Sequence, residues 1–120
     1  MQFNKKDKIL IIAAHPDDEV LGCGGTISSL RNKGVETRIV FLSEGVSSRF
    51  NINQKNLGNI TKEIKLRNNN SIKALKILGI NKKNIFFENH PCCQLDTIPR
   101  LNLIKIIEKH ISIFKPSVIF

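Results

Sequence analysis

Neither tryptophan nor tyrosine occurs in the 120 residues, and aromatic side chains make up only 6% of the chain. Their absence removes the usual anchors of a sticky binding surface and leaves the core to isoleucine, leucine and valine. No apolar run approaches the roughly 20 residues that cross a bilayer. The run at 9–14 gives way to histidine and aspartate, not to the small-residue cleavage site of an export signal. A cytoplasmic protein is expected. Cysteine is scarce: there are three, and the adjacent pair Cys92 and Cys93 is poorly placed to bridge without strain, so reduced thiols are expected. Acidic residues are few, 10 against 19 Lys and Arg, which gives a net charge of +9. A nucleic-acid partner would need those basic residues clustered on one face. Lys62, Lys65, Lys73 and Lys76 do share one side of a predicted helix, but Ile60, Ile64, Leu75 and Leu78 lie opposite, which is the pattern of an ordinary solvated face. No nucleic-acid partner is expected.

The length suits one domain. Residues 8–14 form an isoleucine-rich run that reads as a strand buried on both faces, as in parallel sheets. Residues 20–33 read as a helix closed by Gly34, and 35–43 as a second strand. The polar stretch 47–58 reads as a surface loop, 60–78 as a helix closed by Gly79, and 84–88 as a third strand. Leu101, Ile104, Ile107, Ile111 and Phe114 form one stripe of a helix over 98–114, stopped by Pro116, and 117–120 begins a fourth strand. This alternation predicts an α/β fold, a Rossmann-like parallel sheet with helices on both faces. Ligands of such sheets bind outside the carboxyl ends of the strands. Those ends carry His15 to Asp18, Ser43 to Gly45, and Asn89 with His90.

The stretch "ILIIAAHPDDEVLGCGG", 9–25, admits three readings. A dinucleotide fingerprint would need a third glycine where Ile27 stands, and the aspartates would repel a pyrophosphate. Simple helix capping explains one aspartate, and Glu19 beside it, but not two adjacent carboxylates next to His15. A metal site explains the set. Zinc accepts imidazole nitrogen and carboxylate oxygen, so His15 and Asp18 can converge on one ion, with Pro16 locking the backbone between them. Asp17 is then free to take a proton from a water. Gly22, Gly24 and Gly25 are expected to let the backbone approach substrate or sheet closely.

The segment "AAHPDDEVLGCGGT" resembles the signature of the PIG-L/LmbE-like zinc-dependent de-N-acetylases. "GVETRIVFLSEGVSSR", "RNNNSIKALKILGI" and "LDTIPRLNLIKIIEKHISIFKPSVIF" resemble successive later parts of the same family. The resemblance covers essentially the whole chain but only about the N-terminal half of a typical member. Residues 1–120 are thus expected to be the N-terminal part of a single deacetylase domain, cut short after the fourth strand. It implies that His15 and Asp18 are metal ligands, that Asp17 is the general base, and that Arg49 contacts substrate. It further implies a Zn2+ or other divalent cofactor and hydrolysis of the N-acetyl group of an amino sugar, sugar nucleotide or other sugar conjugate.

The family's third ligand is a histidine of an H-x-x-H segment that follows the fourth strand, beyond Phe120. His90 is the candidate stand-in, His110 is expected on the surface, and Cys92 and Cys93 are expected to act as small buried apolar groups. Asn70 replaces the glutamate that family helices place three residues after the arginine, here Arg67, and "PCCQLD" replaces a P-D-N-R-F-D-like run. The alternatives are an inactive half-domain that needs a partner chain and, more distantly, a nucleotide-binding module. A fourth strand with a bare outer edge predicts homo-oligomers or association through that edge.

Overall fold

The computed structural model describes residues 3–51 and 54–120. Strand β1 (Lys8–Ala13) leads into helix α1 (Asp18–Asn32), and β2 (Glu36–Ser43) into a short 3-10 turn at Ser47–Arg49 and helix α2 (Gln54–Ile77). Strand β3 (Ile85–His90), helix α3 (Arg100–Phe114) and β4 (Val118–Ile119) complete the order. The four strands are parallel in the order β3-β2-β1-β4, so β1 and β2 are central. This is the predicted α/β sheet.

Central strands lose water from both faces, which is why β1 and β2 carry continuous aliphatic runs. On one face Ile9, Ile11, Ile39 and Phe41 meet Ile27 and Leu30 of α1 and Leu75 of α2. On the other, Leu10 and Val40 meet Phe114 of α3, with Ile111 and Phe86 packed alongside. Each such side chain contributes about 1.5–3 kcal/mol on full burial, so β1 and β2 form a stiff platform for the turns at their carboxyl ends.

Three expectations change. The loop expected at 47–58 is shorter, because α2 already begins at Gln54; residues 52 and 53 lie outside the described residues. Once a helix is nucleated, each added residue gains a hydrogen bond, and Gly58 costs too little to stop it. Helix α3 buries only its C-terminal half, since Leu101 and Ile104 of the predicted stripe remain exposed. His110 is not a surface residue. It is buried on the sheet-facing side of α3, its Nε2 lies 3.1 Å from Glu88 Oε1, and its ring meets Phe86 edge-on at 4.9 Å. A carboxylate from β3 partners its Nε2, while Nδ1 is buried without a hydrogen-bond partner among the described residues, and nothing near position 110 in sequence announces the Glu88 contact.

The outer edge of β4 pairs with no strand among the described residues, and Ile119 and Phe120 are partly exposed there. Among the described residues, no helix is long and apolar enough to cross a membrane.

Candidate active site

The turn after β1 sets two carboxylates in different directions. Asp18, the first residue of α1, accepts the His15 backbone N–H at 2.9 Å, and its Oδ2 lies 3.6 Å from His15 Nδ1. With ligand bonds of 2.0–2.1 Å, two donors on one tetrahedral ion sit about 3.3 Å apart. The pair therefore fits a shared cation. Asp17 turns the other way, and its Oδ2 meets Arg67 Nη2 at 2.9 Å while Arg67 Nε donates to the Pro16 carbonyl at 3.1 Å.

Asp17 occupies the N-cap of α1, yet its side chain makes no capping bond. Glu19 ties the turn down instead, because its Oε2 accepts the Asp17 N–H at 2.9 Å while Ser71 Oγ donates to its Oε1 at 3.3 Å. Glu19 is fully buried, and burial pushes its carboxyl above the usual range against these hydrogen bonds. The φ of Asp17 is +142°, a conformation that costs a non-glycine residue about 1–3 kcal/mol. Arg67 holds the turn in this conformation at two points.

The turn after β2 braces the site from below. Glu44 is buried, and its carboxylate accepts the backbone N–H groups of Val46, Ser47 and Cys92, together with the Ser47 hydroxyl. Burial disfavours its charged form, but these donors outweigh that and hold the carboxyl below the usual glutamate range. Gly45 has φ +74°, and a Cβ there would sit 2.9 Å from Arg67 Nε and 3.1 Å from His15 Cβ. Only glycine lets the loop pass between those two side chains.

After β3 the chain departs from expectation. His90 does not approach His15 as a stand-in ligand. Its backbone carbonyl accepts from Ser43 Oγ and the Glu44 N–H, and its Nε2 is buried without a partner among the described residues. Cys92 and Cys93 arrive instead. Cys92 Sγ lies 3.5 Å from His15 Nε2 and 3.6 Å from Cys93 Sγ, and the three donor atoms fall within 4.8 Å of one another. Cys92 is buried as expected, whereas Cys93 is exposed; both are free thiols, as is Cys23.

A cavity of about 550 Å³ opens beside Asp17, with Arg49, Phe50, Glu63, Arg67 and Asn70 among its walls. Arg49 and Asp17 thus face one space, whereas His15 and Asp18 are not part of its lining. The glycines do not bring backbone close to the sheet: a Cβ on Gly22 or Gly25 would meet no atom within 4 Å, and one on Gly24 would make only an ordinary contact of 3.6 Å with Val20 Cγ1 of the same helix. They lie inside α1 rather than in the turn before it, which also removes the dinucleotide reading.

Sequence reasoning missed the pairing of Arg67 with Asp17, the bracing by Glu44 and the thiols beside His15. Arg67 and Glu44 stood in stretches already singled out. For Cys92 no local signal existed, since 77 positions separate it from His15.

Fold and site together define an open α/β protein that gathers polar side chains at the carboxyl edge of its sheet, where such proteins bind small molecules. The family described as PIG-L: GlcNAc-PI de-N-acetylase matches residues 10–120, and the chain belongs to it. It is 38% identical over 79 residues to the uncharacterized deacetylase YaiS of Escherichia coli (strain K12), a match covering 66% of this chain and 36% of that protein. The N,N'-diacetylchitobiose deacetylase structure from Pyrococcus horikoshii superposes with a TM-score of 0.69 at 29% identity, covering 95% of this chain and 40% of that one. The hydratase GalB of Pseudomonas putida KT2440 shares the fold, with a TM-score of 0.73 at 20% identity over 94% of this chain and 45% of that one. The chain thus spans less than half the length of the relatives it matches.

Proposed function

We propose that this chain contributes the N-terminal part of a metal-dependent hydrolase that removes the N-acetyl group from an N-acetylated amino sugar or sugar conjugate. The observation that carries the reading is the convergence of His15 Nδ1 and Asp18 Oδ2 to 3.6 Å beside a cavity walled by Asp17. His15 and Asp18 would hold a divalent ion, zinc being the first choice for an imidazole and carboxylate set. When bound, such an ion supplies a Lewis acid and an acidified water.

The chain's own residues do the rest. Arg67 holds Asp17 through Oδ2, which leaves the other carboxylate oxygen to take the proton from the attacking water. Arg49 on the cavity wall engages hydroxyl or phosphate groups of the sugar conjugate. Amide hydrolysis releases acetate and a free amine. These two ligands would leave further coordination positions on the ion to be filled. The three free cysteines suit a reducing compartment, and a cytoplasmic location is part of the proposal.

The test is release of free amine from N-acetylated amino sugars, with and without chelator, in the chain and in Asp17→Asn. Metal-dependent release reduced at least 100-fold in the variant would support the reading, since general-base catalysis contributes about 10²–10⁴-fold. Release that survives both chelator and Asp17→Asn would sink it. Retained metal binding without turnover would favour a half-domain that needs a partner.

A further inference from the structure

His15 has two ring nitrogens, and the structure gives each a different set of neighbours. Nδ1 faces the Asp18 carboxylate, whereas Nε2 faces the Cys92 thiol, which has the Cys93 sulfur beside it. The nitrogens point away from each other, so one ion cannot use Asp18 and the thiols through the same imidazole. We propose that the chain holds a second, thiolate-type metal site made of His15 Nε2, Cys92 Sγ and Cys93 Sγ, selective for soft or borderline ions such as Zn2+.

Zinc bonds of about 2.3 Å to sulfur and 2.0–2.1 Å to nitrogen set tetrahedral donor separations of about 3.6 Å for N–S and about 3.8 Å for S–S. The observed values are 3.5 Å and 3.6 Å. The third separation, His15 to Cys93 Sγ, is within 4.8 Å, so closing three donors from two turns on one ion takes a shift of the exposed Cys93 side chain, and a fourth position is left for water or another ligand. Thiolate sulfur favours Zn2+ over Mg2+ or Ca2+, whose preference is oxygen.

Local backbone geometry supports the assignment. Adjacent residues in extended chain point their side chains to opposite sides. Cys93 instead has φ +57°, a left-handed conformation that costs a non-glycine residue about 1–3 kcal/mol and brings its sulfur to the same side as that of Cys92. Cys92 is further fixed, since its N–H donates to Glu44 Oε1 at 2.8 Å and to Ser47 Oγ at 3.1 Å. The Ser48 hydroxyl donates to the Cys92 sulfur at 3.1 Å, a contact that suits a thiolate.

In this site Asp18 changes role. A carboxylate facing the outer nitrogen of a metal-bound imidazole fixes its tautomer and raises its basicity, so Asp18 becomes a positioning residue behind His15. The site does not rest on the deacetylase reading, because occupancy is measurable without turnover. It gives His15 a choice between two ions, and the Cys92 and Cys93 pair supplies donors that the family-type set lacks within this chain.

The test is Co2+ titration of the reduced chain, followed by absorption, with Cys92→Ser, Cys93→Ser, His15→Ala and Asp18→Asn. We expect one equivalent of Co2+ to give a near-ultraviolet thiolate charge-transfer band, lost in either cysteine variant and in His15→Ala. Asp18→Asn is expected to keep the band with affinity lowered 10–100-fold. Zn2+ should displace the Co2+ and protect both thiols from a disulfide reagent. No Co2+ binding, or binding without the band, overturns the proposal. Binding that is abolished by Asp18→Asn but unaffected by either cysteine change also overturns it, while leaving the deacetylase reading intact. Because Cys93 is exposed, Cys93→Ser should fold normally, and the wild-type band is itself a readout independent of any variant.

Discussion

Arg67 on α2 grips the β1 turn at two points, Asp17 Oδ2 at 2.9 Å and the Pro16 carbonyl at 3.1 Å. Two donors in a planar fork set the direction of the Asp17 carboxylate, which a single ammonium cannot reproduce. On the proposed reading of the site, we predict that Arg67→Lys lowers kcat for deacetylation about 10–100-fold, with KM changed much less, because misplacing a reacting group by about 1 Å has that scale of effect. Steady-state kinetics on an N-acetylated amino sugar would check this; an unchanged kcat would remove Arg67 from the positioning of Asp17.

Glu44 is expected to make stability depend on acidity. Its folded carboxyl titrates below the ordinary value of 4.5, so its contribution is complete above that value and is lost as the pH falls through the folded value. Glu44→Gln should cost about 2–3 kcal/mol at pH 7, the scale of hydrogen bonds to a charged group, and progressively less below pH 4.5. Urea denaturation of both proteins in chelator would measure the gap. A gap that stays constant from pH 7 to strongly acidic conditions would contradict this account.

The glycines make opposite predictions. Gly22→Ala and Gly25→Ala place a methyl group in open space on a helix and should each stabilise by about 0.4–1 kcal/mol. Gly45→Ala combines φ +74° with contacts of 2.9 Å and 3.1 Å to Arg67 and His15, and should destabilise by more than about 1 kcal/mol. Thermal denaturation separates them by the sign of the shift in Tm.

His110→Ala removes the buried partner of Glu88 and the ring packed on Phe86. A loss of about 2–4 kcal/mol is expected from the cavity together with the unpaired carboxylate. Denaturant midpoints would show it. A neutral substitution would mean that the Glu88 pair contributes nothing net.

The strands and helices were legible in the sequence because they repeat a local rule: aliphatic runs where a strand is buried twice, and apolar residues at helical spacing where one side is covered. Gly79 marked the end of α2, and the His-Pro-Asp-Asp turn fell at the end of β1, as the pattern of β1 requires. Helix α3 was less legible, since a stripe from Leu101 to Phe114 says which side is apolar but not how much of it reaches the sheet.

By itself, then, the sequence determined the alternation of elements, the identity of the residues at the carboxyl ends of the strands, and family membership, all of which depend on neighbours within a few turns of chain. Tertiary structure alone decided which of those residues face one another. It sent Asp17 to Arg67 across 50 positions, and it seated His110 against Glu88. Most consequentially, it placed Cys92 and Cys93 against His15, because crossovers carry the chain back to the same edge of a parallel sheet, where the turns after β1 and β3 meet across the end of the intervening β2. No periodicity in one strand encodes the side chain that the turn after another strand will bring to it.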